Sequence, residues 1–195
     1  MAYVIETIER DGLKFRVSHE YDHDAGAPWD REEGHGPVRH VRANFTGHHD
    51  KRPGELVLNG EFNRGGHVYV FDDACRIALA DDWGSYGWQG AGMTRRQFAA
   101  EQARNDYERL RAWCEDEWYY LGVVVTLLCV DGGETDAVQS LWGIESDAGD
   151  YLHQTASELV DSCITDIRDR LTYRDDETLY RSGPRSWVVS KEASA

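Results

Sequence analysis

The sequence predicts an α+β protein in which an N-terminal and a C-terminal hairpin build an antiparallel sheet, with about three helices packed on one side. Three observations carry this. Residues 3–18 alternate around Asp11-Gly12, a two-residue turn that tolerates positive φ. Thr94 and Gln97 stand at capping-box spacing ahead of a single apolar stripe, Ala99, Ala103, Tyr107, Leu110 and Cys114. Tyr119 to Val130 is apolar on both faces, which suits a central strand.

In order, Tyr3 to Arg10 and Leu13 to Ser18 form the first hairpin, in a register that sets Ile8 against Phe15 and Glu9 against Lys14. Residues 19–66 show no sustained period and are rich in histidine and glycine; a structureless stretch of that length is improbable in a compact domain, so short strands such as Glu55 to Leu58 are expected within it. His67 to Phe71 reads as a strand feeding a helix capped by Asp72 or Asp73 and ending near Asp82. After the glycine-rich connector Trp83 to Met93, the Thr94 helix runs to about Trp118. The central strand turns at Asp131-Gly132-Gly133-Glu134 into a strand over Thr135 to Ile144. Asp147 is expected to cap a last helix whose buried stripe is Leu152, Ala156, Leu159, Cys163, Ile167 and Leu171, with Asp150, Glu158, Asp161 and Asp169 on the opposite face. Residues 1–174 thus read as one domain and 175–195 as a polar tail, with Trp187-Val188-Val189 as a late strand.

Charge is distributed unevenly. Between Arg111 and Arg168 there is no lysine or arginine, and this 56-residue interval supplies −12 of the net −15. A field of one sign at that density repels nucleic acid and membrane surfaces and favours cations, metal ions or a basic protein surface. The opening Met-Ala-Tyr-Val-Ile-Glu-Thr-Ile-Glu-Arg has acids within its apolar run and no basic leader, which predicts the absence of a signal peptide, and the twelve-residue apolar run Tyr119 to Val130 is too short to span a bilayer. A soluble, cytoplasmic protein is the expectation. Cys75, Cys114, Cys129 and Cys163 are widely spaced among apolar residues and read as reduced core thiols.

Several constellations bear on chemistry. His19-Glu20-Tyr21-Asp22-His23 matches the His-Glu-x-x-His pattern of zinc proteases, but that mechanism needs a helix to bring both imidazoles to one face, and here the motif follows an alternating strand. A looser metal site is the alternative: seven of the eight histidines lie within residues 19–67, and His19, His23, Asp30 and His35 are the candidate ligands for zinc or iron in a metal-binding protein or metal-dependent hydrolase. The arginines of the Thr94 helix are interleaved with Glu101, Asp106 and Glu108, so pairing within the helix, such as Glu108 with Arg111, is a better use for them than nucleic acid.

Gly26-Ala27-Pro28-Trp29-Asp30 leading to Gly34-His35-Gly36-Pro37-Val38, then Asp50-Lys51-Arg52-Pro53-Gly54-Glu55 and Leu141-Trp142-Gly143-Ile144-Glu145-Ser146-Asp147, resemble segments of short acidic proteins encoded by bacteriophages and prophages, over roughly residues 3–170. The resemblance implies provenance, a phage accessory protein working in the host cytoplasm with host takeover or counter-defence as settings, and brings no catalytic residues. The expectation that follows is a non-enzymatic protein that engages a basic protein surface without a cofactor, as a mimic of nucleic-acid phosphate. Its proposed contacts are Asp131, Glu134 and Asp136 on the hairpin and Asp150, Glu158, Asp161 and Asp169 on the last helix. Glu158 to Asp169 spans roughly 16 Å of helix, comparable to several phosphate steps of about 3.4 Å.

Overall fold

A computed structural model of the chain describes residues 3–31, 35–42, 51–61, 65–80, 92–170, 172–173, 179–180 and 188–189. Within them the protein is α+β, with three α-helices and antiparallel sheets. The chain divides into two compact units, residues 1–25 with 119–195, and residues 26–118.

The first unit is built on a four-stranded sheet of β1 (Tyr3–Arg10), β2 (Leu13–Tyr21), β6 (Tyr120–Leu128) and β7 (Glu134–Glu145), in the spatial order β1-β2-β6-β7 with every pair antiparallel. The first hairpin has the expected register, Ile8 opposite Phe15 and Glu9 opposite Lys14, because Asp11 (φ 54°) and Gly12 (φ 73°) both take the left-handed conformation that a two-residue turn requires. Strand β2 continues three residues beyond Ser18, through His19, Glu20 and Tyr21. Strand β6 is buried on both faces up to Leu127, as its unbroken apolar run demands.

Helix α3 (Asp150–Arg170) packs on β6 and β7. Phe15, Val17, Leu121, Val123, Val125, Leu127, Ala137 and Ile144 from the sheet meet Ala156, Val160, Cys163, Ile164 and Ile167 from the helix. Each fully buried large aliphatic side chain here contributes about 1.5–3 kcal/mol. The helix is turned slightly from its expected orientation, with Val160 and Ile164 in the core and Leu152 and Leu159 at its margin. It also starts later than Asp147, since Gly149 sits at φ 57°, outside the helical region, after a turn closed by Ala148 N–H donating to the Glu145 carbonyl. Leu171 lies outside the described residues.

Strand β7 carries both irregularities of its pairing with β6. Val138 to Leu141 pair regularly with Thr126 to Val123, and register shifts fall on either side. At the second shift Gly143 adopts φ 78°, and the extra residue changes which parity faces inward: Thr135 and Ala137 are buried before it and Ile144 after it.

The second unit contains a three-stranded sheet in the order β3-β5-β4, with β3 Val38–Val41, β4 Glu55–Glu61 and β5 Gly65–Val70. Strand β4 covers the expected Glu55 to Leu58. Helix α1 (Phe71–Ala80) begins directly on β5, so Asp72 and Asp73 lie in its first turn instead of capping it, where their charges still suit the positive end of the helix. Helix α2 (Arg95–Cys114) has the complete capping box: Thr94 Oγ1 accepts from the Gln97 backbone N–H, and the Gln97 side chain accepts from the Thr94 backbone N–H. Its stripe packs Ala103 and Leu110 against Leu58, Tyr69 and Ala74, with Tyr107 and Cys114 at the edge. Trp118 is buried, donates to the Arg109 carbonyl at 2.8 Å and lies under the Arg109 guanidinium at 3.9 Å. Arg111 pairs with Glu115, one turn on, instead of Glu108. Most of the connector 83–93 lies outside the described residues.

The four cysteines are free; Cys163 is buried, and burial raises the Cys75 and Cys114 thiols above their ordinary range. Near the C-terminus, β8 (Thr172–Tyr173), β9 (Leu179–Tyr180) and β10 (Val188–Val189) pair in the order β10-β9-β8, which places a strand at the expected Val188-Val189. Among the described residues no helix is long and apolar enough to cross a membrane.

Candidate interaction surface

The first unit holds the acids that the sequence singles out. Asp131 is exposed in the β6–β7 turn, where its Oδ1 accepts from Gly133 N–H at 3.0 Å and so shapes the turn. Glu134 and Asp136 are exposed on β7, at positions whose neighbours Thr135 and Ala137 face the core. Asp150 is exposed in the first turn of α3, and Glu158, one further along the same outer face, accepts from Gln154 at 2.8 Å. Asp161 is also exposed, and Asp169 lies on α3 outside the described side chains.

Two of these acids have basic partners from the N-terminal hairpin. Glu134 is ion-paired with Arg16. Asp161 receives Arg10 at 2.5 Å, and the same guanidinium donates to the Ser157 carbonyl and Oγ. Arg168 pairs with Asp11 at 2.9 Å. Thus arginines of the N-terminal hairpin neutralise part of the basic-free interval in space, whereas Arg168 at its far end pairs outside it. Asp131, Asp150 and Glu158 carry no ion pair among the described residues.

Beside these acids β7 exposes apolar surface that the sequence reading missed. Val138, Leu141 and Trp142 are 46%, 42% and 45% exposed. The signal was present, since Val138 shares the parity of Glu134 and Asp136, so a strand with Ala137 facing inward must turn it outward. Trp142 lies over Gly122 of β6, where a side chain would collide with its ring, and its Nε1 donates to Ser140 Oγ at 3.0 Å. No strand is paired to the outer edge of β7 among the described residues.

The His-Glu-x-x-His residues sit elsewhere in this unit. His19 and Glu20 lie in β2 and His23 follows it, so the backbone is extended and the helical arrangement of a zinc protease is absent. With Tyr3, Tyr21, Tyr119 and Leu121 they line a cavity of about 320 Å³, in which Tyr21 stacks on Tyr119 at 5.4 Å. Burial, aided by the nearby His153, lowers the His19 pKa against a smaller opposing pull from Glu6, which favours a neutral ring at neutral pH.

In the second unit, His35 Nδ1 lies 2.7 Å from Asp106 Oδ1, while Asp106 Oδ2 accepts from Gly36 N–H at 2.9 Å and from the Tyr69 hydroxyl at 2.8 Å. Burial first, then the Asp106 charge, pushes the Tyr69 phenol far above its ordinary range. Asp30 closes a short 3-10 turn, Pro28–Asp30. The His67 ring lies tilted against Trp29 at 4.9 Å and edge-on to His40 at 5.3 Å, with its backbone N–H and Nδ1 both 3.0 Å from Asn59 Oδ1; burial and His40 lower its pKa. The candidate metal ligands His19, His23, Asp30 and His35 are not gathered: among the described residues no group of three or more histidine, cysteine, aspartate or glutamate side chains is arranged to hold a metal ion. Compared with protein-family models, with curated proteins and with solved structures, the chain matches none.

Proposed function

We propose that the protein is a non-enzymatic binding module that engages a basic protein surface through the acidic side of its first unit. The observation that carries this reading is the exposure of Asp131, Asp150 and Glu158 without an ion pair among the described residues, in a unit whose residues sum to −11 against −4 for residues 26–118. Val138 and Trp142, exposed on β7 between the Asp131 turn and the start of α3 at Asp150, supply the apolar contact area that charge alone lacks. A phage accessory role, with the acidic surface standing in for nucleic-acid phosphate on a host protein, belongs to the same proposal and rests on the segment resemblance.

The test is charge reversal of Asp131, Asp150 and Glu158 to lysine together. Binding to a basic globular protein such as cytochrome c, measured at low and at physiological salt, should weaken at least tenfold, chiefly through the association rate. Unchanged binding makes these acids a solvated surface only. Retention of duplex DNA by the unaltered protein at physiological salt contradicts the charge argument.

A further inference from the structure

We propose that the outer edge of β7 is a strand-addition site for a short extended segment, apolar in its middle and carrying lysine or arginine at both ends. This rests on the binding reading above and specifies the partner's form. Strand β7 is the last strand of its sheet, so half of its backbone N–H and C=O groups point away from β6, and main-chain pairing is what an added strand would contribute. Edges are commonly blunted by lysine or proline. Neither occurs anywhere between Arg111 and Arg168.

The two register shifts set the length. Regular geometry is confined to Val138–Leu141, roughly 13 Å of strand, so an incoming segment gains about four residues of pairing and cannot extend it further. Its side chains would lie beside exposed Val138 on one face and exposed Leu141 on the other, where cross-strand apolar pairs are favourable.

Charge complementarity selects the occupant. Asp131 precedes the paired stretch and Asp150 follows it, both exposed and without an ion pair among the described residues. A second copy of the chain is disfavoured, because an antiparallel pair of β7 strands brings the Asp131 end of each chain to the Asp150 end of the other, and both ends are acidic. A parallel pair aligns every acid with itself. A basic segment meets opposite charge at both ends in either direction.

The experiment uses the full chain and the capped peptide Lys-Arg-Val-Thr-Val-Thr-Arg-Lys, with a second peptide of the same sequence N-methylated at alternate central residues on the pairing edge. N-methylation keeps the charge and removes the donors. Calorimetry should show at least tenfold weaker binding of the methylated peptide, and amide exchange should slow in Val138–Leu141 only with the unmodified one. Val138→Lys with Leu141→Lys, both on exposed side chains, should lose at least tenfold, whereas Ile77→Lys, exposed in the second unit, should lose nothing. Equal binding of the two peptides overturns strand addition while leaving the acidic-surface reading intact. Slowed exchange in β7 without peptide, rising with protein concentration, means a second copy occupies the edge and also overturns it. If neither the peptide nor the basic globular protein binds, the acidic-surface reading fails and the edge proposal with it.

Discussion

Asp106 on α2 ties the His35–Gly36 segment to Tyr69 of β5, and removing it tests how the second unit is held. In Asp106→Ala the Gly36 N–H, the Tyr69 hydroxyl and His35 Nδ1 lose their shared acceptor. Tyr69 is fully buried, so its hydroxyl has no route to water without rearrangement, whereas His35 and Asp106 are about one quarter exposed. An orphaned buried donor costs about 1–3 kcal/mol. Taking the upper half of that range for Tyr69 and the lower half for each of the two partly solvated donors gives about 4–7 kcal/mol. Tyr69→Phe removes one donor together with its requirement for a partner and should cost only about 1 kcal/mol. The double variant should therefore be milder than the sum by about 2–3 kcal/mol, the penalty of the orphaned hydroxyl. Urea unfolding followed by tryptophan fluorescence is the assay, since five of the seven tryptophans fall in residues 26–118. The sign in pH follows from the raised phenol: the folded state holds Tyr69 neutral, so its contribution is complete below the unfolded value near 10 and is lost as pH rises beyond it. Tyr69→Phe should flatten that alkaline slope. A loss below about 1 kcal/mol in Asp106→Ala, or strict additivity in the double variant, refutes the account.

Two further perturbations probe other contacts. Glu55 is buried, takes Arg39 in two hydrogen bonds of 3.0 and 2.8 Å and accepts from Arg52 N–H at 2.7 Å. The Arg39 hydrogen bonds hold its carboxyl below the ordinary 4.5 against the opposing effect of burial, so its contribution is present above that value and lost as pH falls through the lower folded one. Glu55→Gln should cost about 3 kcal/mol at pH 7 and reduce the loss of stability on acidification; equal pH profiles in urea unfolding would count against it. Gly122→Val puts its Cβ within 2.7 Å of Trp142 Cζ3, which must lift the indole from the sheet at a cost of about 1–3 kcal/mol, and adding Trp142→Ala should recover part of that. Full stability in Gly122→Val, read by thermal unfolding, would show that Trp142 does not rest on the sheet.

Elements whose cause is local are legible in the chain. The Asp11-Gly12 turn with its period of two set the Ile8–Phe15 register, the Thr94–Gln97 capping box opened α2, and the apolar run after Tyr119 marked β6 as central, each because its cause lies within a few residues. Start points that depend on a single φ, such as Gly149 ahead of α3, escaped by a few residues. Tertiary structure alone decided what lies far apart in the chain. Arg10 and Arg16 reach Asp161 and Glu134, so an interval without bases in sequence is not without them in space. His35 meets Asp106 across 71 positions, while the histidines that crowd the sequence are not gathered into a metal group among the described residues. The exposed Val138, Leu141 and Trp142 depend on where β7 lies in its sheet and where its bulges fall. Sequence patterning tells which face of a strand is apolar, but strand order and bulge position come from the pairing of distant segments, and those decide which apolar groups are left for a partner.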